Sequence, residues 1–218
     1  MKTTHTLAIA VAIGSITTAA AAPGDKRAQC YDFSGLEVGT TYHIDDTVDA
    51  RHATITFRPY ISNGSPVGEA ANFAEAQQAK IAGGEPPEMG IKTLAIQVQP
   101  NQPVTQVRMK LAQSITPTGG YGNANIEVNG EKHESPDGFA GMNGKRLGGA
   151  EIASSFTNDS GNWHVGTLEL RAKPGGAITS FTIGGHTMRL DDMCFARSAP
   201  RVKRTNGVIK DALPLRKS

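Results

Sequence analysis

Two glutamates near the middle of the sequence, with an asparagine between them, have the residue types of an acid–base pair. Glu127, Asn129 and Glu131 stand at positions i, i+2 and i+4, which lie on one face of a continuous strand. Two carboxylates on one face can hydrolyse a glycosidic bond, one as proton donor and the other as nucleophile or base. Asn129-Gly130 is, however, a strong hairpin signal, and a turn there would move Glu131 to the next strand. The sequence therefore favours a polar hairpin tip at this position, and it predicts no catalytic residue.

The other residue types that carry chemistry are scattered along the chain. The histidines beyond the N-terminal segment form no pair at i, i+2 or i, i+4, the spacings typical of zinc ligands on one element. The sequence contains no Gly-x-Ser-x-Gly nucleophile elbow. The glycine-rich run at 119–122 lacks the following lysine of a phosphate-binding loop. The sequence consequently favours binding over catalysis, without establishing which of the two the protein performs.

Recognition of a sugar requires an aromatic ring for its apolar face and amides or charges for its hydroxyls. Trp163 is the only tryptophan and has Asn162 and His164 beside it, while Tyr121 lies in a glycine-rich loop close to Asn123. We expect Tyr121, Asn123 and Trp163 to contact ligand. Ordinary core packing at the start of a strand is the competing interpretation of Trp163.

The two cysteines lie near the two ends of the strand-rich part of the chain. Cys30 and Cys194 would meet an oxidising compartment in an exported protein, where such a pair tends to close. We predict a disulfide, worth about 5 kcal/mol in the chain-entropy model. Its alpha carbons should lie about 4.4 to 6.8 Å apart, so the first and last strands should be neighbours. Two buried free thiols are the alternative.

Alternation of apolar and polar residues with a period of two predicts short strands between the cysteines. Leu94, Ile96 and Val98 alternate with polar or small residues, and a turn with two prolines separates them from a similar segment at 107–111. Gly184-Gly185 is typical of a tight hairpin turn. Further strands are expected at 54–61, 124–129, 150–156, 164–172, 177–183 and 186–195.

One segment departs from the strand pattern. Residues 69–81 are rich in alanine and are followed by Gly83-Gly84, which gives them helix propensity and a glycine stop signal. We expect a short helix here, packed on one edge of a sheet. The predicted fold class is all-β: a two-sheet antiparallel jelly-roll sandwich with one short helix.

Both ends of this strand-rich region resemble the terminal strands of a known group of domains. Residues 32–36 (DFSGL) and 188–193 (MRLDDM) are similar to the first and last strands of jelly-roll carbohydrate-binding modules with a galactose-binding-like fold. The resemblance implies a non-catalytic domain that binds carbohydrate. It also implies a structural calcium ion between the terminal strands, with Asp191 as first ligand and Asp32 as its partner; two solvated or turn-capping acids are the alternative.

The N-terminal residues predict an export signal. Lys2 gives a basic start, a short apolar run follows, and small residues end the segment at Ala21 and Ala22. The apolar run is about half of the ~20 residues that a membrane-spanning helix needs, so we expect no transmembrane segment. We predict a signal peptide at 1–21 and a periplasmic or secreted protein. A buried N-terminal helix is the alternative.

The rest of the chain is expected to form one folded domain and a basic tail. The 218 residues, 38% of them hydrophobic, suffice for one buried domain. A content of 19% charged and 6% aromatic residues argues against a bulk basic nucleic-acid binder, so we expect no specific nucleic-acid partner. We expect a linker at 22–29, a β-sandwich domain at 30–195 and a basic disordered tail at 196–218. The tail could contact anionic surfaces such as acidic polysaccharide, lipopolysaccharide or extracellular DNA, or could simply be a solvated end.

The sequence thus predicts an exported, non-catalytic binding protein that recognises carbohydrate or cell-envelope glycan. Two alternatives remain open at this point. One is a jelly-roll glycosidase that acts on polysaccharide. The other is a structural or adhesive envelope protein whose tail makes the contacts.

Overall fold

A computed structural model describes residues 28–67, 72–115 and 122–197. These residues form an antiparallel all-β structure with a single turn of 3-10 helix at Ala140–Met142. The all-β sandwich expected from the alternating pattern is therefore confirmed. The predicted signal peptide, nearly all of the linker, the tail beyond residue 197 and Tyr121 lie outside the described residues, so the expectations for them stay predictions.

Fourteen strands occupy the described residues. In chain order they are β1 (Gln29–Tyr31), β2 (Thr41–Tyr42), β3 (Thr47–Asp49), β4 (Ala53–Ser62), β5 (Ser65–Val67), β6 (Ala74–Gln77), β7 (Glu88–Pro100), β8 (Gln106–Ser114), β9 (Ala124–Val128), β10 (Glu131–Ser135), β11 (Arg146–Leu147), β12 (Ala150–Ser160), β13 (Trp163–Ala172) and β14 (Phe181–Ala196).

Two long strands, β7 and β14, run through both layers of the sandwich. The first half of β14 pairs with β9 and with the second half of β7, which pairs in turn with β4. We call this the front layer, in the order β3-β4-β7-β14-β9-β10. The second half of β14 pairs with β8, and the first half of β7 pairs with β6. This back layer continues from β8 through β13 and β12 to β11.

The crossing between the layers lies at Thr93 and His186. In β7 the buried apolar side chains are Met89 and Ile91 before Thr93, and Leu94 and Ile96 after it, so the inward-facing parity changes there. Thr93 has a positive φ of 54°, and its hydroxyl lies 3.2 Å from Nδ1 of His186. Such an irregularity lets a strand turn a corner and keep its apolar side chains in one core.

The predicted hairpin at Gly184-Gly185 is wrong, because both glycines lie inside the continuous strand β14. Glycine is needed at 184 for close packing rather than for a turn. A Cβ on Gly184 would stand 2.2 Å from Oδ1 of Asn125 and 2.8 Å from Cβ of Ala95. The glycine pair therefore indicates a close approach of strands at this position. The local sequence does not distinguish this role from that of a turn.

The predicted helix at 69–81 is also wrong where the structure describes it. Residues 74–77 form β6, which pairs with β2 and with the start of β7. Ala74 and Ala76 are fully buried and alternate with the more exposed Glu75 and Gln77. The segment thus has the two-residue period of a strand, and pairing on both sides outweighs the modest helix propensity of alanine.

Two other predictions from the sequence are confirmed. Asn129 and Gly130, with φ of 48° and 87°, form the two-residue turn that joins β9 to β10. Cys30 and Cys194 form a disulfide between β1 and β14. Their alpha carbons lie 3.9 Å apart, closer than the predicted range of about 4.4 to 6.8 Å, and the two residues are directly opposite each other in the antiparallel pair. The first and last strands are therefore neighbours, as predicted.

Candidate functional site

A cleft of about 400 Å³ opens on the outer side of the front layer. The β4–β5 hairpin forms one wall and the β9–β10 hairpin forms the other, with β7 and the first half of β14 between them. We call it the hairpin cleft. Its polar lining comes from all of these strands except β5: Arg58, Gln97, Asn125, Glu127, Lys132, His133, Glu134 and Thr182.

Strand register explains why these side chains share one face. Gln97 lies opposite Thr182, Thr182 opposite Glu127, and Glu127 opposite Lys132. Thr56 stands on the other side of Gln97 and completes a polar row across five strands. Residues directly opposite each other point to the same side of an antiparallel sheet. The row therefore presents an amide, a hydroxyl, a carboxylate and an ammonium group side by side.

A second row lies next to the first and contributes three residues to the lining of the cleft. It runs from Arg58 through Ala95, Gly184 and Asn125 to Glu134. The two ends of this row carry charged side chains, whereas Ala95 and Gly184 at its centre are small. The absence of a Cβ at 184 lets the Asn125 side chain pack against β14, and Asn125 lines the cleft between the charged ends.

Internal contacts hold the charged side chains of the cleft in place. The guanidinium of Arg58 approaches Oδ1 of Asp45 at 2.7 Å, and its Nε donates a hydrogen bond to Gln97 at 3.1 Å. Nζ of Lys132 lies 3.6 Å from a carboxylate oxygen of Glu127. Partners of this kind restrict the rotamers of long side chains, so the polar groups are positioned before a ligand arrives.

One hydrogen bond joins the two walls. The backbone N–H of Gly64, in the β4–β5 turn, donates to a carboxylate oxygen of Glu134 on β10 at 2.9 Å. Asn63 and Gly64 both have positive φ, as a two-residue hairpin turn requires. Pro59, Ile61 and Pro66 add apolar surface on this side of the cleft.

The expected acid pair at 127 and 131 is divided by the turn, as the hairpin signal indicated. Glu127 lines the hairpin cleft, whereas Glu131 accepts a hydrogen bond from the N–H of Gly148 at the hairpin tip. Asn129 is also structural: its side chain donates to the carbonyls of Gly148 and Ala177 and accepts from Thr179. The one-face arrangement of three residues is therefore absent from this hairpin.

The residues expected to bind sugar lie elsewhere. Trp163 begins β13 in the back layer, is partly buried, and has the guanidinium of Arg189 5.5 Å from its ring centroid, which is cation–π distance. Asn123 precedes β9 and is exposed. Neither residue lines the hairpin cleft. Tyr121 lies outside the described residues.

The two expected calcium ligands have unlike surroundings. Asp32 is exposed and accepts two hydrogen bonds from Ser34, which lower its pKa. Asp191 is fully buried, and its Oδ2 has no hydrogen-bond partner among the described residues. Burial raises the pKa of Asp191 to about 7. Within the described ranges no group of three His, Cys, Asp or Glu side chains is arranged to hold a metal ion.

Asp191 belongs to a buried acid cluster under the loop at 79–87. Glu88 directly precedes Met89, which lies opposite Leu190 of β14, and is also fully buried. Its carboxylate accepts a hydrogen bond from the N–H of Ala82. Lys110, opposite Asp191 on β8, bonds to Asp192 at 2.5 Å and to the carbonyl of Gly83 at 2.8 Å. We use the term acid cluster for Glu88, Asp191, Asp192 and Lys110.

Comparison with known proteins found no matching family model, curated protein or solved structure. The described part of the chain also contains no helix that is long and apolar enough to cross a membrane. The functional conclusion therefore depends on the residues themselves. Arg58, Gln97, Lys132 and Glu134 were not singled out from the sequence, although Gln97 alternates with the buried Ile96 and Val98 along its strand.

Proposed function

We propose that this protein is an exported, non-catalytic binding protein that takes carbohydrate, such as the glycan of a cell envelope, into the hairpin cleft. The observation that carries the proposal is the pair of cross-strand rows. They place an amide, a hydroxyl, carboxylates and cations around the buried side chain of Asn125.

The lining suits the surface of a sugar. Each hydroxyl both donates and accepts hydrogen bonds, and the cleft offers acceptors on Glu127 and Glu134 and both functions on Gln97 and Thr182. The C–H groups of a pyranose need an apolar contact, which Pro59 and Ile61 can supply. Convergent polar groups beside apolar surface are typical of small-molecule sites.

The placement of the carboxylates favours binding over hydrolysis. A glycosidase needs one carboxyl group that is free to give a proton and a second that attacks or activates water. Glu127 faces the ammonium of Lys132, and Glu134 accepts the N–H of Gly64. Both carboxylates already have a partner within the protein, an arrangement that suits fixed hydrogen-bond acceptors.

Export is proposed on the disulfide, which persists in oxidising compartments such as the periplasm or the exterior of the cell. The predicted signal peptide at 1–21 agrees with it. The basic tail, outside the described residues except for its first two, is proposed to add contacts with anionic surfaces. Loss of retention on such surfaces after deletion of 198–218, with sugar binding unchanged, would separate the tail from the cleft.

Calcium is proposed as a structural ion near Asp191. Its support is the buried Oδ2 of Asp191, which has no partner among the described residues. Asp32 offers less, because it is exposed and already bonded to Ser34. A chelator should lower the melting temperature of the purified protein if the ion is present. An unchanged melting temperature would contradict the proposal.

Binding to a glycan array tests the proposed function directly. Gln97→Ala and Thr182→Val should each weaken binding of the captured glycan about tenfold, since each removes hydrogen bonds inside the cleft. Trp163→Ala serves as the matched comparison on the other layer. If only Trp163→Ala reduces binding, the site is at Trp163 and not in the hairpin cleft, and if no glycan binds at all the proposed function is wrong.

A further inference from the structure

We infer that the hairpin cleft selects short, uncharged saccharides over acidic ones. This inference rests on the proposed function and specifies the ligand class of the same site. It follows from two properties of the cleft: the pairing of its cations and the joining of its walls.

The cationic side chains of the cleft are already neutralised. Arg58 has the carboxylate of Asp45 at 2.7 Å, and Lys132 has that of Glu127 at 3.6 Å. Glu134 adds a further carboxylate to the lining. A uronate or sulfate group entering the cleft would therefore meet no cation that lacks an acidic neighbour, and it would lose hydration close to carboxylates of the same sign.

An uncharged sugar has no such penalty. Its hydroxyls can donate to Glu127 and Glu134 and accept from the hydroxyl of Thr182 and from the amide of Gln97. Hydrogen bonds to charged acceptors are the stronger kind, and the carboxylates are held in place before binding. The cleft is therefore expected to bind a ligand with many hydroxyl donors more tightly than a ligand with a negative charge.

The size of the cleft limits the length of the ligand. Its volume of about 400 Å³ is near the lower end of the range typical for small-molecule sites. The hydrogen bond from Gly64 to Glu134 joins the β4–β5 and β9–β10 walls, so the cleft does not continue past that point as an open groove. One or two sugar units, or the end of a longer chain, fit this shape better than the middle of a polysaccharide.

Matched sugars test the selectivity. Titration calorimetry at pH 8 would compare glucose with glucuronate, galactose with galacturonate, and short neutral oligosaccharides with acidic ones. We expect the neutral member to bind at least about fivefold more tightly, with little dependence on salt. Equal or tighter binding of the acidic member overturns the inference and leaves the proposed function intact. Failure of all of them to bind overturns both.

A charge variant tests the physical cause. Asp45→Asn removes the carboxylate beside Arg58 and should raise the affinity for the uronate, relative to its neutral partner, about threefold. Glu85→Gln is the control, since it breaks a similar exposed pair, Lys80–Glu85 at 2.6 Å, outside the cleft lining. If neither Asp45→Asn nor the control changes the ratio of the affinities for the uronate and its neutral partner, neutralisation of Arg58 does not set the selectivity.

Discussion

The hairpin cleft and the acid cluster both lie along β14, one on each half of the strand. Their charged side chains differ in exposure and in pairing. In the cleft, Arg58 and Lys132 are substantially exposed and each has a carboxylate partner. In the cluster, Glu88 and Asp191 are fully buried, and each has one oxygen without a partner among the described residues. Exposed pairs contribute little to stability but shape what can bind, whereas the raised pKa of the buried Asp191 couples folding to pH.

The same strand can carry both regions because its two halves belong to different layers. Gly184 lies on the outer face of the front layer, and Asp191 lies on the outer face of the back layer, under the loop at 79–87. The corner at His186 separates them. The comparison predicts that substitutions in the cluster change stability most and that substitutions of charge in the cleft change binding most.

The largest expected effect is the pH dependence from Asp191. Burial, the neighbouring Asp192 and Glu88 raise its pKa from 3.8 to about 7, while the Asp192 N–H and Lys110 act in the opposite direction. The protonated form is therefore the stable one in the folded protein. Its stabilising contribution is complete below pH ~4 and is lost as the pH rises to ~7, by at most about 4 kcal/mol.

Asp191→Asn tests this dependence of the unfolding free energy on pH, because asparagine stays neutral at every pH. In urea unfolding with chelator present, we expect the variant to gain stability relative to the original protein between pH 5 and pH 8. Glu127→Gln in the cleft is the comparison, and its unfolding free energy should differ from that of the original protein by less than about 0.5 kcal/mol. A difference between Asp191→Asn and the original protein that does not change with pH would contradict the raised pKa.

The next effect in size is expected at Gly184, which packs against the Asn125 side chain of the cleft. Gly184→Ala would bring a Cβ to 2.2 Å from Oδ1 of Asn125 and 2.8 Å from Cβ of Ala95. We expect a loss of about 1 to 3 kcal/mol in unfolding free energy, together with a loss of sugar binding, because Asn125 must move. Gly35→Ala is the matched control: nothing lies within 4 Å of its new Cβ, so its stability should hardly change.

The smallest effect is expected at the bond between the cleft walls. Glu134→Ala removes the acceptor of the Gly64 N–H and should cost about 1 kcal/mol or less, since the group is near the surface. Glu134→Gln keeps an acceptor oxygen and should restore most of that stability. Hydrogen exchange at Gly64 measures the change. Equal protection in all three proteins would show that the bond does not join the hairpins in solution.

Several parts of this protein were predictable from the sequence because their causes are local. Asn129-Gly130 specifies a two-residue turn by its backbone preference, and alternating residues around Ile96 specify a strand with one buried face. The disulfide between Cys30 and Cys194 followed from composition and compartment. None of these predictions required knowledge of which strands are neighbours.

The hairpin cleft, in contrast, was not predictable from local pattern. Its rows join Arg58, Ala95, Gly184 and Glu134, which are far apart in the chain and meet only through strand register. A one-residue change in register would turn each side chain to the opposite face. The same limit explains the two errors: packing against Asn125 gives Gly184 its role, and pairing with β7 makes a strand of residues 74–77.

The sequence by itself determined the class of this protein: strands with one apolar face, a two-residue turn, and a cysteine pair that ties the ends. Tertiary structure alone decided which polar side chains stand together and which acids are buried. The physical reason is range. Turn and strand preferences act over a few residues, whereas register and burial depend on contacts between distant segments, which the whole packed core selects.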